Sequence, residues 1–183
     1  MAEQEIKVTD AELALLSLLF EQPMHGYQIE QTIEARGMRE WTQIGFSSIY
    51  YVLEKMKNKG WLTSVLQQES GPGPARKVFQ LTDAGRQIWK AAVMDALSDP
   101  HRAFSNFSLG LANLLFLKKD EILTAVTAYR QQLQERRDNV DKKLASYGTS
   151  LPWEVVKLFD YSLAQIDCEI RWVEEFIAEL NKR

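Results

Sequence analysis

At Gly60 the hydrophobic pattern of this chain changes from the period of a helix to that of a strand, and that switch limits the folds open to it. Before the glycine, Ile49, Val52, Leu53 and Met56 recur at i, i+3, i+4 and i+7, which predicts an amphipathic helix over 46–59 that stops at Gly60. Its other side carries Ser47, Tyr51, Glu54, Lys55 and Asn58, flanked by Ser48, Tyr50, Lys57 and Lys59. Tyr27, Ile29 and Ile33 mark an earlier helix ending at Gly37. After Gly60, the stretches 61–68 and 77–81 read as strands, and Gly71-Pro72-Gly73-Pro74 between them breaks regular structure and forms a hairpin tip. Thr82 and Asp83 then start a further helix, with a carboxylate at its positive end. Helix, turn, helix and two-stranded β-wing in that order predict a winged helix-turn-helix.

Such a unit places hydroxyl, amide, aromatic and amine groups where they reach phosphates and base edges once the second helix enters a major groove. The residues expected to do so are Tyr27, Ser47, Ser48, Tyr51, Lys55 and Asn58, with Arg76 and Lys77 on phosphates from the wing. Total charge points the other way: the formal net charge is -3, and residues 1–98 hold 10 basic against 12 acidic side chains. Placement decides the matter rather than the sum. Lys55, Lys57 and Lys59 share one stretch and Arg76 and Lys77 lie on the wing, whereas Glu3, Glu5, Glu12 and Glu34 fall outside both. Glu54 is the exception on the exposed stripe, and pairing with a lysine is its simplest use.

The segments HGYQI, SSIYYVLEKMKNKGWL and GPGPARKVFQLTDAGR, taken in that order, resemble the DNA-binding domain of the PadR family of bacterial transcriptional regulators over roughly residues 10–98. Many members carry a glycine directly before the serine or threonine of the Ile-Tyr motif, where this chain has Phe46-Ser47-Ser48. The resemblance implies a regulator, most often a repressor, released from DNA by small aromatic molecules such as phenolic acids or by drugs. It treats His25 as a structural turn residue. Longer members, as in the virulence-activator branch, add a C-terminal helical domain that dimerises by antiparallel helix packing.

The second half of the chain fits that expectation. Val156, Phe159, Leu163, Ile166, Ile170, Val173, Ile177 and Leu180 alternate spacings of three and four, a heptad seam that asks for a partner helix. A preceding helix, about 119–147, has its own stripe in Ile122, Val126, Tyr129, Leu133, Val140 and Leu144, interrupted by Arg136 and Arg137. The two form a hairpin that either closes on itself or shares its stripe with a second chain. Operators with two-fold symmetry call for a two-fold protein. The first helix, 11–20, is apolar on nearly every side and is expected to be buried between the two halves. The expected architecture is mainly α: a winged helix-turn-helix over 1–98 and an antiparallel, coiled-coil-like helical dimerisation domain over 99–183.

Trp153 and Trp172 lie off the heptad seam and are the candidate effector-binding residues, although aromatic side chains are more often ordinary core. Enzymatic chemistry finds no foothold. His25 and His101 are far apart in sequence and Cys168 is the one cysteine, so neither a metal cluster nor a cofactor is expected. GxSxG and P-loop motifs are absent, and the prolines of the 71–74 segment remove the amides a phosphate cradle uses. A lone cysteine, an acidic polar N-terminus and no long apolar run suggest the cytoplasm and no membrane. The sequence is thus read as a homodimeric, ligand-responsive DNA-binding regulator. The competing classes are a winged-helix module that binds protein and a small-molecule sensor without DNA binding.

Overall fold

The computed structural model describes residues 7–40, 42, 44–45, 49–68, 75–100, 105–148 and 151–182. The chain falls into two compact units, Met1–Arg102 and Ala103–Arg183.

In the first unit, helix α1 (Asp10–Glu21) starts at a capping box: the Thr9 hydroxyl accepts from the Glu12 amide, and the Glu12 carboxylate accepts from the Thr9 amide. Strand β1 (Met24–His25) and helix α2 (Gly26–Ala35) follow, then helix α3 (Ile49–Asn58), strands β2 (Leu62–Gln67) and β3 (Arg76–Leu81), and helix α4 (Asp83–Ser98). The β2–β3 hairpin is antiparallel, with register from Leu62 opposite Leu81 to Gln67 opposite Arg76. This hairpin is the two-stranded wing read from the sequence, and the sheet extends beyond it. Met24 and His25 pair with Phe79 and Val78 and complete a three-stranded sheet in the order β1-β3-β2. A two-residue strand leaves no alternating pattern to read, which is why the sequence conceals it.

The four buried α3 residues Ile49, Val52, Leu53 and Met56 are the stripe that the spacing defines, and they pack with Leu15, Leu16 and Leu19 of α1, Ile29 and Ile33 of α2, and Trp61 and Phe79. Helix α1 contacts α3, β3 and α4 within this unit and buries Ala14, Leu15, Leu16, Leu18 and Leu19 there. Gly60 has φ +76, the left-handed conformation that ends α3 and lets the chain turn into β2. Thr82 closes the sheet onto α4: its hydroxyl accepts from the Gly85 amide at 3.0 Å and donates to the Gly60 carbonyl at 2.7 Å.

The second unit contains α5 (Asn106–Ala112), α6 (Lys119–Ser146) and α7 (Trp153–Lys182). Arg130 pairs with Glu174 and Arg137 with Asp167, each at 2.6 Å, so α6 and α7 run antiparallel. Ile122, Val126 and Leu133 bury against Ile166, Ile170 and Val173, and the partner that the α7 seam requires is α6 of the same chain. Arg137, an interruption in the α6 stripe by sequence, bridges Asp141 on its own helix and Asp167 on the other.

Gly85 packs directly against the backbone at Trp61. A Cβ there would sit 2.1 Å from the Trp61 carbonyl oxygen, a backbone atom that cannot swing away. Gly85→Ala is therefore expected to lower unfolding free energy by about 1–3 kcal/mol, the usual cost of overpacking, as read by urea denaturation. A substitution of wild-type stability would show that α4 shifts freely on the sheet.

Candidate nucleic-acid interface

Helix α3 presents two differently occupied flanks. Tyr51 and Asn58 are exposed, Tyr51 at 71%, and lie on the same side of the helix two turns apart. Lys55 shares that side by count, yet its ammonium lies 3.2 Å from Glu12 Oε1, and Lys59 Nζ lies 2.7 Å from the same oxygen. Glu12 is fully buried. Burial alone would raise its pKa, but hydrogen bonds from Lys59, from the Thr9 amide and from Lys55 outweigh that and hold the carboxyl below its ordinary 4.5. Two of the three lysines in the basic run thus have work inside the fold. The Lys59 ammonium also stands 4.0 Å above the Trp61 ring.

On the other flank Glu54 pairs with a lysine, and that lysine is Lys77 of the wing. The hydrogen bond from Lys77 lowers the Glu54 carboxyl below its usual range, with the charge of Lys57 adding to the effect. This bridge ties α3 to the start of β3. Arg76, one residue earlier, is exposed, and its Nη1 lies 3.0 Å from His25 Nε2. His25 itself is buried and caps α2: Nδ1 accepts from the Gln28 amide at 3.1 Å, while Gln28 Oε1 accepts from the His25 amide. Tyr27, 54% exposed, follows in the first turn of α2. A groove of about 490 Å³ runs between these elements, lined by His25, Gly26, Tyr27, Tyr50, Glu54, Arg76, Lys77 and Phe79.

The groove therefore brings together Tyr27, Arg76 and Lys77 among the expected residues. Tyr51, Lys55 and Asn58 lie on α3 outside its lining, and Ser47 and Ser48 fall outside the described residues, as does the wing tip at 71–74.

The comparisons with known proteins bear on this unit first. Residues 15–91 match the transcriptional regulator PadR-like family. The match lies within the first unit and makes that stretch similar to the family. Its fold is that of Bacillus subtilis PadR solved with operator DNA, at 18% identity and a TM-score of 0.76, covering 92% of this chain and 97% of that one. PadR from the same organism in complex with p-coumaric acid gives the same TM-score and identity over 94% and 99%. The Vibrio cholerae virulence activator AphA aligns at 21% identity and a TM-score of 0.70 over 93% and 97%. No curated protein matches the sequence.

In the second unit the two tryptophans singled out for an effector stand apart within one chain. Trp153 opens α7 and Trp172 lies 19 residues on, about 28 Å along the helix at 1.5 Å per residue. One small molecule within one protomer cannot touch both. Trp153 is 72% exposed with no ring beside it among the described residues, whereas Trp172 meets Phe107 edge-on at 5.9 Å and Phe176 at 5.3 Å. Phe107 stacks on Tyr129 at 4.2 Å, and burial together with a hydrogen bond to Glu169 pushes the Tyr129 phenol up to about 12.

Sequence reasoning missed three residues here: Glu12 as an internal counter-ion, and His25 and Tyr50 as groove walls. Signals existed for the first, since Thr9-x-x-Glu12 is a capping box and Lys55 and Lys59 share a helix face. Because the folded-state pKa of Glu12 is depressed, its contribution is present above the unfolded value and lost as pH falls through the folded one. Glu12→Gln is expected to cost about 1.5–3 kcal/mol at pH 7, the range for hydrogen bonds to charged groups. The gap to wild type should close as the pH of urea melts drops below 4.5. A gap independent of pH would remove the ion pair from the account.

Proposed function

We propose that this chain is a PadR-like, sequence-specific DNA-binding transcriptional regulator, acting as a cytoplasmic homodimer that represses from a two-fold operator and is released by a small aromatic effector. The observation that carries the reading is the common face on which the first turn of α2, the exposed side of α3 and the start of β3 meet, with Tyr27, Tyr50, Arg76 and Lys77 around one groove. A recognition helix beside a cationic wing matches the demands of a major groove and its flanking phosphates. Bacillus subtilis PadR, of the same fold, is described in complex with operator DNA and with p-coumaric acid.

Dimerisation is supported by apolar surface that one chain leaves uncovered in the second unit. Leu115 is 90% and Phe116 81% exposed, and Trp153 and Tyr161 of α7 are also exposed. Sedimentation equilibrium is expected to give twice the 21.1 kDa chain mass, and Phe116→Asp to shift it toward monomer. For the effector, Trp153 and Trp172 are the candidate contacts, and Phe107 and Phe176 beside the half-exposed Trp172 favour it of the two.

The rival reading, a winged helix that binds protein, draws support from one finding: Lys55, Lys59 and Lys77 each carry a carboxylate partner, so the cationic face is weaker than the sequence suggests. Anisotropy of labelled DNA from upstream of the protein's own gene, against a shuffled duplex across a salt series, separates the two. A regulator prefers the upstream probe and loses affinity steeply with salt; a protein-binding module holds both probes feebly and alike. Within the regulator reading, Lys57→Ala is expected to weaken both probes equally and lower the salt slope by roughly one. Lys59→Ala should act mainly on the melting temperature, because Lys59 neutralises Glu12.

A further inference from the structure

One acidic side chain stands where a DNA-binding helix has most use for cations. Glu54 follows Tyr51 by three residues and precedes Asn58 by four, so it neighbours both on the outer side of α3. The helix buries Ile49, Val52, Leu53 and Met56 on its other side, and nothing in that core calls for a charge at position 54. The carboxylate is held by the Lys77 ammonium at the start of β3, across the groove that both side chains line. Each partner is partly exposed, and a solvated ion pair of this kind contributes little to stability. Tethering β3 to α3 is therefore a slight reason for an acid here.

Its cost on DNA is larger. The hydrogen bond from Lys77, with the charge of Lys57 adding to it, holds the Glu54 carboxyl below its ordinary 4.5, so the group is an anion at neutral pH. An anion on the outer side of α3 repels phosphates and also draws Lys77 away from them. Only a base edge that donates offsets this. In the major groove guanine shows N7 and O6 and thymine shows O4, all of them acceptors. Adenine sets its N6 amino group beside the N7 acceptor, whereas cytosine shows its N4 amino group with no acceptor next to it. A carboxylate has acceptors only. Guanine and thymine therefore repel it, adenine half opposes it, and cytosine satisfies it.

We propose that Glu54 is a base-discriminating residue, parked on Lys77 in the free chain and passed to the N4 amino group of a cytosine when a DNA phosphate takes Lys77. The inference rests on the DNA-binding reading above and adds to it a named base and an exchange of partners. On a duplex with no cytosine in reach the bridge stays closed and Lys77 is withheld from the backbone. On a duplex that offers one, both charges find new partners in the same step. The acid thus acts against wrong sequences as much as for the right one.

The test uses the full chain with the upstream duplex, a shuffled duplex, and upstream duplexes in which each C·G pair in turn becomes T·A. That change puts an acceptor where the N4 donor was. In the wild type, one such change is expected to weaken binding roughly tenfold, the size of one lost hydrogen bond to a charged group. The same change should cost Glu54→Ala little, because the acceptor is gone. Glu54→Gln, whose carboxamide both donates and accepts, should tolerate adenine at that place. Both variants should melt close to wild type. Both should also hold the shuffled duplex more tightly, with a salt slope steeper by roughly one, since Lys77 is then free for a phosphate. If every C·G change costs wild type and Glu54→Ala alike, the cytosine assignment falls and DNA binding stands. An unchanged salt slope on the shuffled duplex overturns the exchange of partners. A loss in Glu54→Ala spread evenly over all duplexes makes Glu54 a tether and sinks the proposal. Failure of the wild type on every duplex removes both readings together.

Discussion

A buried carboxylate organises the first unit. Glu12 is fully removed from water, and a charge there is tolerated only because Lys55, Lys59 and the Thr9 amide converge on it. The geometry constrains more than its own energy. Lys55 and Lys59 are one helical turn apart on α3, so two grips on one α1 residue fix the rotation of the recognition helix about its axis as well as its distance. Tyr51 and Asn58 face outward because Lys55 and Lys59 are pulled inward. A hydrophobic seam alone would leave α3 some freedom to roll, since Ile49, Val52, Leu53 and Met56 form a broad apolar band.

The same chemistry governs the second flank, with the opposite consequence for exposure. Glu54 and Lys77 are both partly solvated, and an ion pair of that kind is worth only about 0–1 kcal/mol. It holds the wing against α3 without committing it. A phosphate arriving at Lys77 competes with a partner that water and salt already weaken, whereas one arriving at Lys59 would have to strip a buried carboxylate. Cations that look equivalent along the sequence are thereby divided into structural and available ones by the burial of their acids.

Most of the fold was legible because it is written in periodicity and punctuation. The α3 stripe, the glycine at 60, the strand pair in the wing, the Thr82 cap and the α7 seam all follow from spacings that each element needs. What stayed hidden has no such period. The pairing of β1 rests on two residues; the Glu12 ion pair spans 47 residues of chain; and the groove draws on four elements. His25 could be read as a turn residue from its place before α2, but its second nitrogen acquires a role only once β3 brings Arg76 beside it. Sequence showed that Trp153 and Trp172 both leave the seam, and the continuity of α7 between them sets how far apart they stand in one chain.

The ion pairs along the hairpin of the second unit bear on how that unit can move. Arg130–Glu174 and Arg137–Asp167 occupy matching steps of two antiparallel helices, and Tyr129 is bonded to Glu169 beside them. Sliding α7 by one turn, about 5.4 Å, would misalign all three at once and carry the Ile166, Ile170 and Val173 knobs out of their holes. The pair behaves as a ratchet locked at one tooth. Any signal it carries must travel as a tilt or swing of the whole rod, its two helices moving as one.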